Sequence, residues 1–121
     1  MAAAASVTLN VNVTGLGAAN YSLSKMFSGT TPTVVTQAHR LLAANTSEAV
    51  PLGDIATVEG AIIIAVTEAM EVDLDFVSSF DADGAVAEGE AQYFKPSGTL
   101  HIKNTHGSNA GAYEYLLFGT A

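Results

Sequence analysis

Apolar and polar residues alternate along most of this chain, and a period of two demands extended backbone. Val7, Leu9, Val11 and Val13 are separated by Thr8, Asn10 and Asn12, so a strand puts all four on one side. Tyr21, Leu23, Lys25 and Phe27 repeat the pattern against Ser22, Ser24 and Met26. Met70, Val72, Leu74 and Phe76 alternate with Glu71, Asp73 and Asp75, which predicts a half-buried strand with a row of carboxylates facing water. Ala61 to Val66 is continuously apolar and reads as a strand buried on both faces. Thr33 to Ala44 fits a helical stripe as well as a strand, and its β-branched start, Thr33-Val34-Val35-Thr36, favours the strand. Shorter strands are expected at Glu48–Leu52, Ala85–Ala87, Tyr93-Phe94, Thr99–Asn104 and Ala112–Phe118. Breakers separate them, among them Ser28–Pro32, Gly53-Asp54, Asp81–Gly84 and Pro96-Ser97-Gly98. The reading is all-β, an antiparallel sandwich or barrel of about 8–9 short strands. Residues 1–121 are expected to form one such domain, with 1–6 a flexible N-terminal arm.

Charge narrows the partners. Of 121 residues, 13% are charged and 49% hydrophobic, and the formal net charge is −8. Disordered chains show the opposite balance. Between Glu48 and Glu90 there are eleven acids and no Lys or Arg. A nucleic-acid binder needs clustered cations to displace counterions from phosphates, so neither nucleic acid nor an anionic membrane is an expected partner. The longest apolar run is far short of the roughly 20 residues of a spanning helix. With no cysteine, disulfides, thiolate zinc sites and a cysteine nucleophile are excluded. A surface this poor in charge suits a protein that buries much of it against others.

Few residues suggest chemistry. Glu71, Asp73 and Asp75 share one strand face at a spacing of roughly 6–7 Å, close to that of glycosidase carboxylates. With no Trp to stack on sugar, they read instead as a solvated row. Ser79-x-Asp81-x-Asp83-Gly84 with Glu90 nearly matches a calcium loop, but Ser79 replaces the first carboxylate and strands flank it. Asp81, Asp83 and Glu90 are therefore a weak calcium candidate set within an acidic hairpin turn. His39, His101 and His106 have no zinc spacing. No P-loop, G-x-S-x-G or dinucleotide fingerprint is present. No catalytic residue and no required cofactor is expected.

Several segments, read in order, carry a likeness. They are Ser6-Val7-Thr8-Leu9-Asn10-Val11, then Leu23-Ser24, then Val50-Pro51-Leu52-Gly53-Asp54-Ile55-Ala56-Thr57 followed by Gly60. Val72-Asp73-Leu74, Glu88-Gly89-Glu90 and the closing Tyr113-Glu114-Tyr115-Leu116-Leu117 complete the set. Together they resemble small structural proteins of tailed-bacteriophage virions. The resemblance implies a jelly-roll-like sandwich that oligomerises on the virion. The implied role is capsid decoration or cementing, and the alternatives are a tail- or neck-associated component or a carbohydrate- or receptor-binding module. A homo-oligomer is expected, with a trimer as the first expectation, on the capsid exterior against the major capsid protein or another virion protein. The expected interface is Tyr113, Tyr115 and Leu117 with the arm residues Ala2, Ala3, Ala4, Ala5 and Ser6.

Overall fold

The computed structural model describes residues 5–16, 19–30 and 32–121. Among these the regular structure is entirely strand. In chain order the strands are β1 (Ala5–Leu16), β2 (Ala19–Thr30), β3 (Val34–Leu42), β4 (Thr46–Ala49), β5 (Thr57–Ala65), β6 (Met70–Phe76), β7 (Gly84–Val86), β8 (Ala91–Phe94), β9 (Thr99–Asn104) and β10 (Gly111–Thr120). The chain divides into two compact units, Met1–Pro32 and Thr33–Ala121.

In the first unit β1 and β2 form a two-stranded antiparallel sheet, with Val7 opposite Phe27, Val11 opposite Leu23 and Val13 opposite Tyr21. Of the expected arm, Ala2, Ala3 and Ala4 lie outside the described residues. Ala5 and Ser6 do not belong to an arm: they open β1, with Ala5 opposite Thr30. The alternation of β1 explains this, because Ser6 extends the polar set Thr8, Asn10 and Asn12 one step back.

The second unit is the sandwich. One sheet has the order β3-β10-β5-β8 and the other β4-β9-β6-β7, and every pairing is antiparallel. Apart from the β6–β7 hairpin, each successive strand crosses to the other sheet. Eight strands wound this way form a jelly roll, which closes two Greek keys around one core. The ambiguous segment after Thr33 is strand β3. The sandwich is thus built from residues 33–121, and β1 and β2 pair only with each other.

Alternation sets the core. Leu42, Ile63, Ala65, Tyr113, Tyr115 and Leu117 point inward from one sheet, and Met70, Val72, Val86, Leu100 and Ile102 from the other. This corrects the expected interface. The side chains of Tyr113, Tyr115 and Leu117 are buried within their own sandwich, where the opposite sheet already covers them. The outward residues of β10 include Glu114 and Leu116, and Phe118, which is buried over Gly60. The apolar strand also differs from expectation. In β5, Ala61, Ile63 and Ala65 are buried, but Ile62 and Ile64 are only half-buried and Val66 just beyond is exposed. One face of this strand meets the opposite sheet, and the other is an outer surface.

Two local features fix the sheets. Gly60 lies under the ring of Phe118, so any side chain there would displace it. Gly119 sits against the carbonyl of Thr57 at a shift in the β10–β5 register, where a Cβ would collide with backbone. At one end of the sandwich Arg40 Nε and Nη2 donate to the two carboxylate oxygens of Glu48, at 2.8 and 3.1 Å, and the Tyr113 hydroxyl donates to Glu48 Oε1 at 2.7 Å. The trio joins β3 and β10 to β4 and so ties sheet to sheet. At the same end the buried Asn104 amide donates to the carbonyls of Leu42 and Asn109.

Candidate functional site

The outer surface of the β4-β9-β6-β7 sheet, around β6, gathers three aspartates. In β6, Met70 and Val72 point into the core and Glu71 points out. Asp73 is next on the outer side, opposite His101 of β9. Between Asp73 and Phe76 the register with β9 slips, which bends the strand and turns the following loop, 77–83, back over the outer sheet surface. Phe76 stacks on His101 with ring centroids 3.6 Å apart and planes 10° from parallel. Phe80 lies 5.8 Å from the Lys103 ammonium, a cation–π distance.

The folded-back loop changes what the carboxylate row is. Asp73 keeps only 1% of its surface exposed. Its Oδ2 accepts the N–H of Asp81 at 2.9 Å and its Oδ1 the N–H of Asp75 at 3.1 Å. Asp83 Oδ2 accepts the N–H of Leu74 at 2.8 Å. The expected row of solvated acids is therefore corrected. Asp73 is the buried anchor to which the loop backbone is tied, Glu71 is half-buried, and of the three only Asp75 is exposed.

Asp73, Asp75 and Asp83 each offer a carboxylate oxygen within 4.8 Å of the others. Their protonation is driven apart. Backbone N–H donation, chiefly from Asp81, stabilises charge on Asp73 and lowers its pKa, against the cost of its burial. Asp75 is pushed up, first by its hydrogen bond to the Asp73 carboxyl and then by the Asp83 charge. Such a group can share a proton, or it can supply oxygens to a hard divalent cation, whose full shell needs six or more. The oxygens that accept backbone N–H groups are already partly committed, so the cluster is first a staple for the loop.

The sequence candidates for calcium are only partly gathered here. Asp83 belongs to the cluster. Asp81 contributes its backbone N–H, and its carboxylate is not in the group. Glu90 lies past the far end of β7, where its carbonyl accepts the N–H of Ala65. The calcium-loop spacing fails because β7 separates Asp83 from Glu90. Asp73 and Asp75 were visible in sequence, but the loop that buries one beside the other was not.

A cleft of about 300 Å³ opens nearby, lined by Leu52, Ala56–Val58 and Pro96–Leu100. Its lining carries hydroxyls but no acid, base or aromatic ring. A side chain on Gly98, in its lining, would bring its Cβ to 3.3 Å from the Asp75 Cα. His39 lies on β3, His101 in the stack on Phe76, and His106 Nδ1 accepts the N–H groups of Ser108 and Asn109. The three histidines serve different places.

The outer surface of the β3-β10-β5-β8 sheet is of another kind. Leu116 has Gln37 on one side and Ile62 on the other, and Ile62 is opposite Tyr93. Phe118 lies between Val35 and Gly60, and Glu114 between His39 and Ile64. Along β3, Val35 is 59% and Leu41 69% exposed. On this face Glu114 lies beside Ile64 and Leu116, Gln37 and His39 are exposed, and Phe118 is buried. The chain matches no known protein family, no curated protein and no solved structure.

Proposed function

We propose that this chain is a structural protein of a tailed-phage virion, a decoration or cement subunit that acts by covering shell surface and associating with its own copies. Jelly rolls serve capsids, lectins and enzymes alike, so the fold alone is a weak guide. The observation that carries the reading is the apolar outer face of the β3-β10-β5-β8 sheet, with Val35 and Leu41 exposed on it. Exposed apolar patches mark association surfaces. Burial of such a face gains about 25 cal/mol per Å², and repetition over a shell multiplies weak contacts by avidity. The resemblance in Leu52-Gly53-Asp54-Ile55 and Glu114-Tyr115-Leu116-Leu117 supports the same role. A glycan-binding module is less well supported, because the cleft beside Pro96 lacks an aromatic ring for a sugar to stack on.

The test is composition and rebinding. Mass spectrometry of purified particles from the source of this sequence should find the chain at many copies per particle. Purified chain added to particles stripped of it should pellet with them and raise the temperature at which they release DNA. Particles that lack the chain and do not bind it would reject the proposal.

A further inference from the structure

Three of the four sheet edges in the sandwich are guarded. β4 and β8 have four residues each and β7 has three. Glu48 lies within β4, Asp83 and Glu88 flank β7, and Glu90 and Lys95-Pro96 flank β8. Short length, charge and proline are the usual means by which sheets avoid pairing edge to edge. The fourth edge, β3, is the longest, and its one charge, Arg40, is turned to Glu48 of its own sandwich. It runs for nine residues in unbroken register against β10, and it contains no acid, no lysine and no proline. Two large exposed apolar side chains, Val35 and Leu41, lie on it.

The composition of β3 is symmetric about its centre. Counting outward from Ala38, Gln37 matches His39, Thr36 matches Arg40, Val35 matches Leu41 and Val34 matches Leu42. Polar matches polar, and apolar matches apolar. An antiparallel pair of identical strands about a two-fold axis sets each residue against its match. Val35 of one copy would then cover Leu41 of the other, twice, on the outer face.

Charge supports the same contact. Two copies of a chain with net charge −8 repel, and a stable contact must keep carboxylates away from its centre. β3 brings none. Its one permanent charge, Arg40, is already balanced within its own sandwich by Glu48.

We propose that β3 is a dimerisation edge, to which a second copy of this chain adds its own β3 antiparallel and centred on Ala38, joining two four-stranded sheets into one. This association needs no virion, so its failure and the failure of the virion role are separable. A nine-residue edge is about 30 Å long, which is a small contact beside the roughly 800 Å² per partner of a standard interface. The dimer therefore dissociates on dilution.

Sedimentation equilibrium of the full chain over a concentration series tests this, with three variants. V35E/L41E sets like charges opposite one another across the axis and weakens the dimer by at least about tenfold. V35E/L41K sets opposite charges there and retains it. Both positions are exposed, so each variant folds, as far-ultraviolet circular dichroism will check. Ala38→Cys, in a chain with no other cysteine, gives a disulfide-linked dimer on oxidation, since paired strands bring the two Cα atoms to about 4.5–5.5 Å. A wild-type chain still monomeric at about 1 mM would overturn the proposal. So would equal behaviour of the two charge variants, or an oxidised Ala38→Cys chain that stays monomeric.

Discussion

The two outer faces of the sandwich are built from strands of similar sequence pattern and end in opposite states. On the β4-β9-β6-β7 sheet the outward positions are Ser47, Glu71, Asp73, His101 and Lys103, and a loop folds back over part of them. On the β3-β10-β5-β8 sheet they include Val35, Leu41, Ile62, Ile64 and Leu116, half-buried or exposed, with Gln37, His39 and Glu114 among them. Period-two patterning determines which residues share a face. What later lies on that face depends on loops and partners. The polar face is completed within the chain, by Phe76, Phe80 and the Asp73 hydrogen bonds. The apolar face keeps Val35 and Leu41 exposed.

Adjacent residues on β10 give the sharpest test of which side is which. Leu117 is fully buried, and Leu116 is half-exposed on the other face. Leu117→Ala removes core packing and is expected to cost about 2–5 kcal/mol. Leu116→Ala should cost under about 1 kcal/mol in the isolated chain, because surface positions rarely exceed this. Urea unfolding of both variants measures the difference. Equal losses would mean that the outer face is as well packed as the core, and the comparison would collapse.

A smaller effect is expected at the clamp that holds the two sheets together. Tyr113→Phe removes one hydrogen bond to Glu48, for about 0.5–1.5 kcal/mol. The same site gives a pH dependence. Arg40, with the Tyr113 hydroxyl, lowers the Glu48 pKa from its ordinary 4.5, against the effect of partial burial. A depressed carboxylate adds stability that is present above its unfolded pKa and lost as pH falls through the folded one. Stability should therefore fall as pH drops below about 4.5, and the fall should be shallower in Glu48→Gln, which starts lower. Thermal melts from pH 7 to pH 3 would show it.

These sites differ in how far the sequence revealed them. The strands and the all-β class follow from alternation alone, which is local. In the Arg40–Glu48–Tyr113 trio, Glu48 and Tyr113 are 65 residues apart, and no spacing rule links positions brought together by a sheet-to-sheet crossing. Tyr113, Tyr115 and Leu117 were expected at an interface because a strand apolar on both faces needs two covers. The pattern does not say which cover is the core, and β10 assigns it to these three. The calcium-like spacing at Asp81, Asp83 and Glu90 was misleading for the converse reason, since a strand runs between its members. Asp73 looked like part of a solvated row because a register shift and a returning loop leave no trace in period-two patterning.

The acid cluster makes the last and subtlest test, because its members should respond with opposite signs. Asp73 ties the loop through two backbone N–H groups. Asp73→Asn replaces one acceptor oxygen with an amide donor and should lower the melting temperature at neutral pH, though by less than Leu117→Ala. The hydrogen bond to Asp73 and then the Asp83 charge raise the Asp75 pKa above the ordinary 3.8. A raised carboxylate contributes stability that is full below its unfolded pKa and lost as pH rises through the folded one. At neutral pH its charge therefore opposes folding, and Asp75→Asn should raise the melting temperature slightly. That gain should fade in acid, where the wild-type carboxyl also becomes neutral. Added millimolar calcium is the discriminating condition. If the three carboxylates act only as a staple, calcium leaves both the wild type and Asp75→Asn unmoved. A wild-type increase that Asp75→Asn abolishes would mean that the repulsion is there to be neutralised by an ion, and the polar face would then be completed by a ligand as well as by its loop.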